Sequence, residues 1–290
     1  MKTYLSPAKI NWWLRVLDRR PDGFHNIETV FQEIALHDTL MVEPLTESAE
    51  CIIEGMPIDV PTEENLIFKA WQLLRGAYPA KVGGVSFTVQ KRIPMGGGLG
   101  GGSSNAATAL KAMAEIFQLG SSADELRHLA GKLGSDTAFF IEGGCAVGRG
   151  RGEILDPQKP PPPLPLILVF PHESVSTAWA YKQLSQAPRP APTSNLLEFL
   201  EVLRSGDAAA LARKVHNDFE SVVEREPWFL EARRALYDAG CVGAFLTGSG
   251  STVVGIVEKN ESSSEIARTL QHTNGLKVQV TISGRPVGGL

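Results

Sequence analysis

The run Pro94, Met95, Gly96, Gly97, Gly98, Leu99, Gly100, Gly101, Gly102, Ser103, Ser104 holds six glycines between Pro94 and Ser103. It offers backbone amides rather than side chains. Glycine takes φ > 0 and lets the backbone close on a ligand. A helix starting at the far end of the run adds a positive pole, so the stretch suits several negative oxygens, as in a phosphate chain. Two charged residues could act on what it holds. Lys9 stands two residues after Pro7 in an apolar run. It either snorkels from a strand edge to solvent or sets a cation beside a transferring phosphoryl group or a nucleophilic hydroxyl. Asp136 lies between Gly134-Ser135 and Phe139-Phe140, and either caps a turn or accepts and orients the proton of an acceptor hydroxyl. Phe24 and His25 leave a Pro-Asp-Gly turn, and Thr177 and Tyr181 lie four apart on one helical face. Either pair packs locally or faces a ligand, the first by stacking on a planar base and hydrogen bonding from two distinct ring nitrogens.

The elements that must position these groups follow from pattern. Gly84 to Ile93 is rich in β-branched residues and closes at Pro94 as a strand, while Ala106, Leu110, Met113 and Phe117 recur at helical steps, with Ser103 or Ser104 as cap. Strand, glycine loop, helix is the resulting order. A Walker-type loop requires Lys where Ser103 stands. Gly96, Gly98 and Gly101 satisfy GxGxxG, but a dinucleotide unit needs a second parallel strand ending in an acid, and Ser122 to Leu133 reads as another helix. A flexible linker fits poorly between a strand and a helix.

Ahead of the loop, residues 1–17 read as a strand pair or bent strand, residues 27–34, 38–44 and 51–54 as strands, and Asn65 as the cap of a helix running to Arg75. Beyond it, residues 143–152 read as strand and turn. The polyproline stretch from Asp156 to Pro163 divides the chain into units 1–156 and 157–290. The second unit reads as a strand at 164–170, a helix entered at Val175, a proline-rich loop at 187–192, and helices at 196–203, 208–224 and 228–239. A hairpin at 243–257 with a second glycine turn at 247–252, a helix at 263–272 and a strand at 277–282 complete it. The segment His216-Asn217-Asp218-Phe219-Glu220 lies inside the expected 208–224 helix. The fold class is α+β.

With 290 residues and 43% of them apolar, the chain can bury two moderate cores. A net charge of −4 leaves no footprint for nucleic acid or an anionic membrane, so an anionic ligand must be held locally. Cys51, Cys145 and Cys241 are odd in number and lack CxxC spacing, as expected of reduced structural thiols. Lys9, Asn11 and Arg15 interrupt the opening apolar run, and no stretch reaches the roughly 18 apolar residues of a membrane span. The expectation is a soluble cytoplasmic protein, monomer or weak homodimer, with a small-molecule partner, no nucleic acid and no membrane.

The 94–104 run resembles the ATP loop of the GHMP kinases. Pro7-Ala8-Lys9-Ile10-Asn11 is similar to an opening motif, Gly134 to Phe140 to a catalytic Gly-Ser-Asp element, and Gly243 to Val257 to a third motif that buttresses the ATP loop. The similarity is strongest to the branch that phosphorylates a cytidyl diphosphate sugar alcohol. It implies a two-domain α+β fold with the active site in the cleft between domains, and ATP and Mg²⁺ as cofactors. It further implies Lys9 and Asp136 as catalytic residues, Pro94 through Ser104 together with Asn65 on ATP, and Asn11, Phe24, His25, Thr177 and Tyr181 on the substrate. Phe24 and Tyr181 would sandwich the cytosine. Ser103 is a metal ligand by that resemblance alone, and no dedicated carboxylate cage is visible. Phe24 stands where tyrosine is common, keeping the stacking face without the hydroxyl, and Ala138 replaces a usual proline. The rival readings are a GHMP kinase for homoserine or mevalonate and a nucleotide sensor without catalysis. Phe24-His25 and Thr177/Tyr181 speak against the first, and intact Lys9 and Asp136 against the second.

Overall fold

A computed structural model describes residues 1–56, 60–186, 191–259, 262–274 and 276–286. Residues 187–190 of the expected proline-rich loop lie outside them. Two long strands, β1 (Lys2–Arg19) and β2 (His25–Leu45), pair antiparallel along nearly their whole length. The strands expected at 27–34 and 38–44 are one. Between the pairs Pro7–His37 and Ala8–Ile34 the register shifts, so a bulge at Ala35 and Leu36 bends the strand without ending it. Added to them in the first sheet are β3 (Cys51–Glu54), β4 (Gly84–Gln90), β5 (Cys145–Arg149) and β6 (Ile154–Gln158).

Helices α1 (Leu66–Ala77), α2 (Gly101–Ile116), α3 (Ala123–Leu133) and α4 (Ser135–Glu142) cover one face of this sheet, and Phe87, Leu110 and Phe140 are among the residues of their shared core. Local chemistry fixes where they start. Asn65 caps α1 by accepting from the Ile67 amide at 2.9 Å, and Ser122 with Glu125 forms a reciprocal capping box on α3. The cap expected of Ser103 or Ser104 is not used. Gly100, at φ 69°, takes the position before the helix, so both serines fall within its first turn. A left-handed glycine turns the chain there more sharply than a serine could.

The second sheet, in the order β11 (Lys277–Ile282), β7 (Pro165–Phe170), β10 (Val253–Ile256), β9 (Gly243–Leu246), is antiparallel throughout. Helices α5 (Thr177–Leu184), α6 (Leu196–Ser205), α9 (Pro227–Asp238) and α10 (Ser263–Asn274) accompany it. The single helix expected at 208–224 is broken into α7 (Ala208–Ala212), β8 (His216–Asn217) and α8 (Glu220–Val223), and β8 joins the first sheet beside β1 in parallel. The reason is polar. Asn217 and Asp218 bond to distant backbone groups, and such tertiary bonds outweigh a weak helical preference.

Alternation along β1 sets up the site. Ala8, Ile10 and Trp12 are fully buried in the core shared with Leu166, Leu168 and Phe245 of the second sheet. Lys9 and Asn11 therefore project from the opposite face. Among the described residues no helix is long and apolar enough to cross a membrane.

Candidate active site

Two cavities meet at the glycine loop. The smaller, of about 340 Å³, is lined by Pro94 through Ser103 and by Asn65. The larger, of about 780 Å³, takes in Lys9, Asn11, Phe24, His25, Asp136, Thr177 and Tyr181. Gly98, Gly100 and Ser103 line both.

The loop is built from backbone that only glycine tolerates at several points: Gly96, Gly98 and Gly100 have φ of 73°, 76° and 69°. A Cβ on Gly98 would stand 2.3 Å from the Thr247 carbonyl oxygen, and one on Gly100 would stand 2.9 Å from the Phe140 ring. The first helical bond of α2 runs from the Ser104 amide to the Gly100 carbonyl at 2.8 Å. The amides of Gly101, Gly102 and Ser103 precede it and have no partner within the helix, the arrangement that favours an anion at a helix start. Ser104 is different from Ser103. Its amide is spent in the helix, and its hydroxyl is buried and accepts from Ser6 Oγ at 2.8 Å.

In the larger cavity, Lys9 Nζ lies 3.2 Å from Asp136 Oδ2 and donates to Asn11 Oδ1 at 2.6 Å. The lysine side chain is 4% exposed and that of Asp136 34%, so the carboxylate still faces the open cavity while its counter-ion is enclosed. Asn11 Nδ2 donates to Thr29 Oγ1 at 2.7 Å, and the Lys9 amide donates to the Leu99 carbonyl at 3.0 Å. The strand bearing the lysine is thereby tied directly to the glycine loop.

At the other end of the larger cavity, His25 and Tyr181 stack with ring centroids 5.1 Å apart and planes 15° from parallel. Tyr181 also has the Phe219 ring edge-on at 4.9 Å. Phe24 is 55% exposed with the Arg151 guanidinium 4.9 Å from its ring. Burial, helped by the negative charge of Asp136, pushes the Tyr181 phenol up to about 12, so it stays a neutral donor across the physiological range. Thr177 Oγ1 is 3.0 Å from Ser249 Oγ, joining α5 to the second glycine turn.

Sequence reasoning missed a buried polar cluster behind the loop. Asp38 is wholly buried and accepts from the amides of Arg92 and Ile93 at 2.7 and 2.9 Å, from Asn105 Nδ2 at 2.9 Å, and from Lys91. It anchors the turn between β4 and the loop. The signal was present: Asp38, Leu40 and Val42 alternate onto one face of β2, and Leu40 and Val42 are core, so an aspartate in that register had to be buried and paired. Arg151 over Phe24 carried no such signal.

Residues 65–144 match the family described as GHMP kinases N terminal domain, and residues 199–275 match GHMP kinases C terminal. The chain belongs to the GHMP kinases. This GHMP kinase is 40% identical to the 4-diphosphocytidyl-2-C-methyl-D-erythritol kinase of Pelotomaculum thermopropionicum, over 94% of each chain. It is 38% identical to the enzyme of that name from Moorella thermoacetica, over 92% of this chain and 93% of that one. A crystal structure of 4-(cytidine 5'-diphospho)-2C-methyl-D-erythritol kinase superposes with a TM-score of 0.82 at 33% identity, covering 98% of this chain and 99% of the other. A homoserine kinase from Cytophaga hutchinsonii superposes at 0.73 with 18% identity, over 97% and 93%, which shows the shared GHMP kinase fold alone.

Proposed function

We propose that this GHMP kinase transfers the γ-phosphoryl group of ATP to the 2-hydroxyl of 4-diphosphocytidyl-2-C-methyl-D-erythritol, giving the 2-phosphate and ADP, a step of the methylerythritol phosphate route to isoprenoid precursors. The observation that carries the reading is the Lys9–Asp136 pair, 3.2 Å apart in the aromatic-lined cavity that shares Gly98, Gly100 and Ser103 with the glycine-loop cavity. Relatives carrying that enzyme name, similar over nearly the whole chain, supply the substrate.

In this reading the free amides of Gly101, Gly102 and Ser103, with the positive pole of α2, hold the phosphates, and the rest of Pro94 through Ser104 shapes the cradle. Asn65, while capping α1, borders the adenine side. The acceptor oxygen attacks the γ-phosphorus as its bond to the β–γ bridging oxygen breaks, and Asp136 receives the hydroxyl proton. Lys9 orients that carboxylate and steadies the attacking oxygen, and Asn11 fixes the ammonium. Positioning and charge do most of the work in such a transfer. His25 and Tyr181 would read the cytosine, with Phe24 and Thr177 closing over it. Mg²⁺ would neutralise the phosphate oxygens, with Ser103 as a protein ligand by the family resemblance; among the described residues no three His, Cys, Asp or Glu side chains converge as a cage. The division into units 1–156 and 157–290 belongs to the same proposal. The two family matches fall on either side of it, while β6 runs two residues past it.

The test is ADP formation with a panel of acceptors: 4-diphosphocytidyl-2-C-methyl-D-erythritol, homoserine and mevalonate. Turnover with the first alone is expected. Turnover with either of the others, and none with the first, would sink the substrate assignment.

A further inference from the structure

The segment His216–Glu220, set aside as part of a helix in the sequence, has a place in the fold that the reaction above does not use. Its side chains reach β1, α5 and the second glycine turn. The Asn217 side chain is 5% exposed and fully engaged: Nδ2 donates to the carbonyls of Leu246 and Gly248, both at 2.8 Å, while Oδ1 accepts from the Phe219 amide at 3.0 Å. Gly248 in turn abuts the glycine loop, since a Cβ on it would lie 3.0 Å from the Gly98 carbonyl oxygen. Asp218 Oδ2 accepts from the Val16 amide at 2.7 Å and Oδ1 is 2.7 Å from His216 Nε2, fixing the segment to β1. The Phe219 ring meets Tyr181 edge-on, and Tyr181 stacks on His25.

We propose that Asn217 and Phe219 are positioning residues of this kinase, Asn217 holding the second glycine turn against the phosphate loop and Phe219 holding Tyr181 in its stack on His25. The inference rests on the kinase reading. It assigns the two ends of the cavity to two side chains two residues apart on one short segment. Asn217 bonds to the carbonyls of the turn and to the Phe219 amide, and the Phe219 ring meets the stack. Their removal should therefore separate kinetically.

The experiment measures KM for ATP and for 4-diphosphocytidyl-2-C-methyl-D-erythritol, with kcat, in Asn217→Ala and Phe219→Leu. Loss of three buried hydrogen bonds, two of them to the turn, should raise KM for ATP in Asn217→Ala about 10-fold, with lower kcat and the acceptor KM within about 2-fold of wild type. Phe219→Leu should raise the acceptor KM by about 5-fold and leave that for ATP unchanged. Equal changes in both constants in both variants, or a lowered melting temperature with wild-type constants, would overturn the proposal, since either is what a purely structural segment would give. Should Asn217→Ala not fold, Asn217→Ser, which keeps one donor, is read in the same way. Wild-type turnover is the control for the reaction itself: its absence would sink the kinase reading, whereas wild-type turnover without the split sinks only this inference.

Discussion

Two glycine turns touch in this molecule, and they do opposite things with their backbone. The loop at 96–102 opens into α2 and leaves amides of the first turn without intrahelical partners. The turn at 247–252 closes the hairpin of β9 and β10, the Gly248 carbonyl is taken by Asn217, and the Gly250 amide donates to the Thr247 carbonyl at 3.1 Å. Both are glycine-rich, yet only the first opens into a helix, whose positive pole favours an anion. Glycine content supplies close approach; the helix start supplies the charge. The second turn uses its glycines for contact, packing where the Gly98 and Gly248 backbones allow no Cβ between them.

Substitutions can break or sharpen this contrast. Gly98→Ala should have the largest effect, because its Cβ would collide with the Thr247 carbonyl in a left-handed backbone; misplacing the cradle should lower kcat/KM for ATP about 100-fold. Gly248→Ala, with φ of 58° and a milder 3.0 Å approach to Gly98, should cost about 10-fold by the same assay. Gly96→Ala meets nothing within 4 Å at φ 73°, so only backbone strain of about 1–2 kcal/mol remains and the loss should be smallest. A reversed order of the first two would mean that the hairpin turn, not the loop before α2, is the anion site.

A smaller effect tests the base of the second turn. Glu220 accepts from the Leu246 amide at 2.8 Å, but burial, outweighing that bond and Arg233, raises its carboxyl above the usual range. The native state therefore binds the proton more tightly than the unfolded chain. The contribution is most favourable below the ordinary carboxylate pKa and is lost as pH rises through the raised value. Thermal melts of Glu220→Gln should show a smaller decline than wild type between acid and neutral pH; equal slopes would contradict the shift.

Much of this was legible in residue order. Pro94 and the glycines fixed the strand–loop–helix unit, the capping signal of Asn65 located α1, and the helical reading of 122–133 anticipated α3. Lys9 and Asp136 were visible as odd charges in apolar settings, and the structure brings them within 3.2 Å across 127 positions of sequence. The break in the 208–224 helix was not legible, because its cause is a set of bonds to Val16, Leu246 and Gly248, remote in sequence. Nor was the stack of Tyr181 on His25, which depends on how α5 meets the β1–β2 turn. Local signals specify elements; which side chains meet is decided by packing between them.

The central claim is that Asp136, held by Lys9, serves an acceptor hydroxyl at the mouth of the phosphate loop. The direct test is ADP release from ATP and Mg²⁺ with 4-diphosphocytidyl-2-C-methyl-D-erythritol, for wild type and Asp136→Asn, alongside ATP binding by each. The account predicts turnover that falls about 1,000-fold in the variant while ATP still binds. Turnover unchanged in Asp136→Asn would contradict it and place the proton acceptor elsewhere.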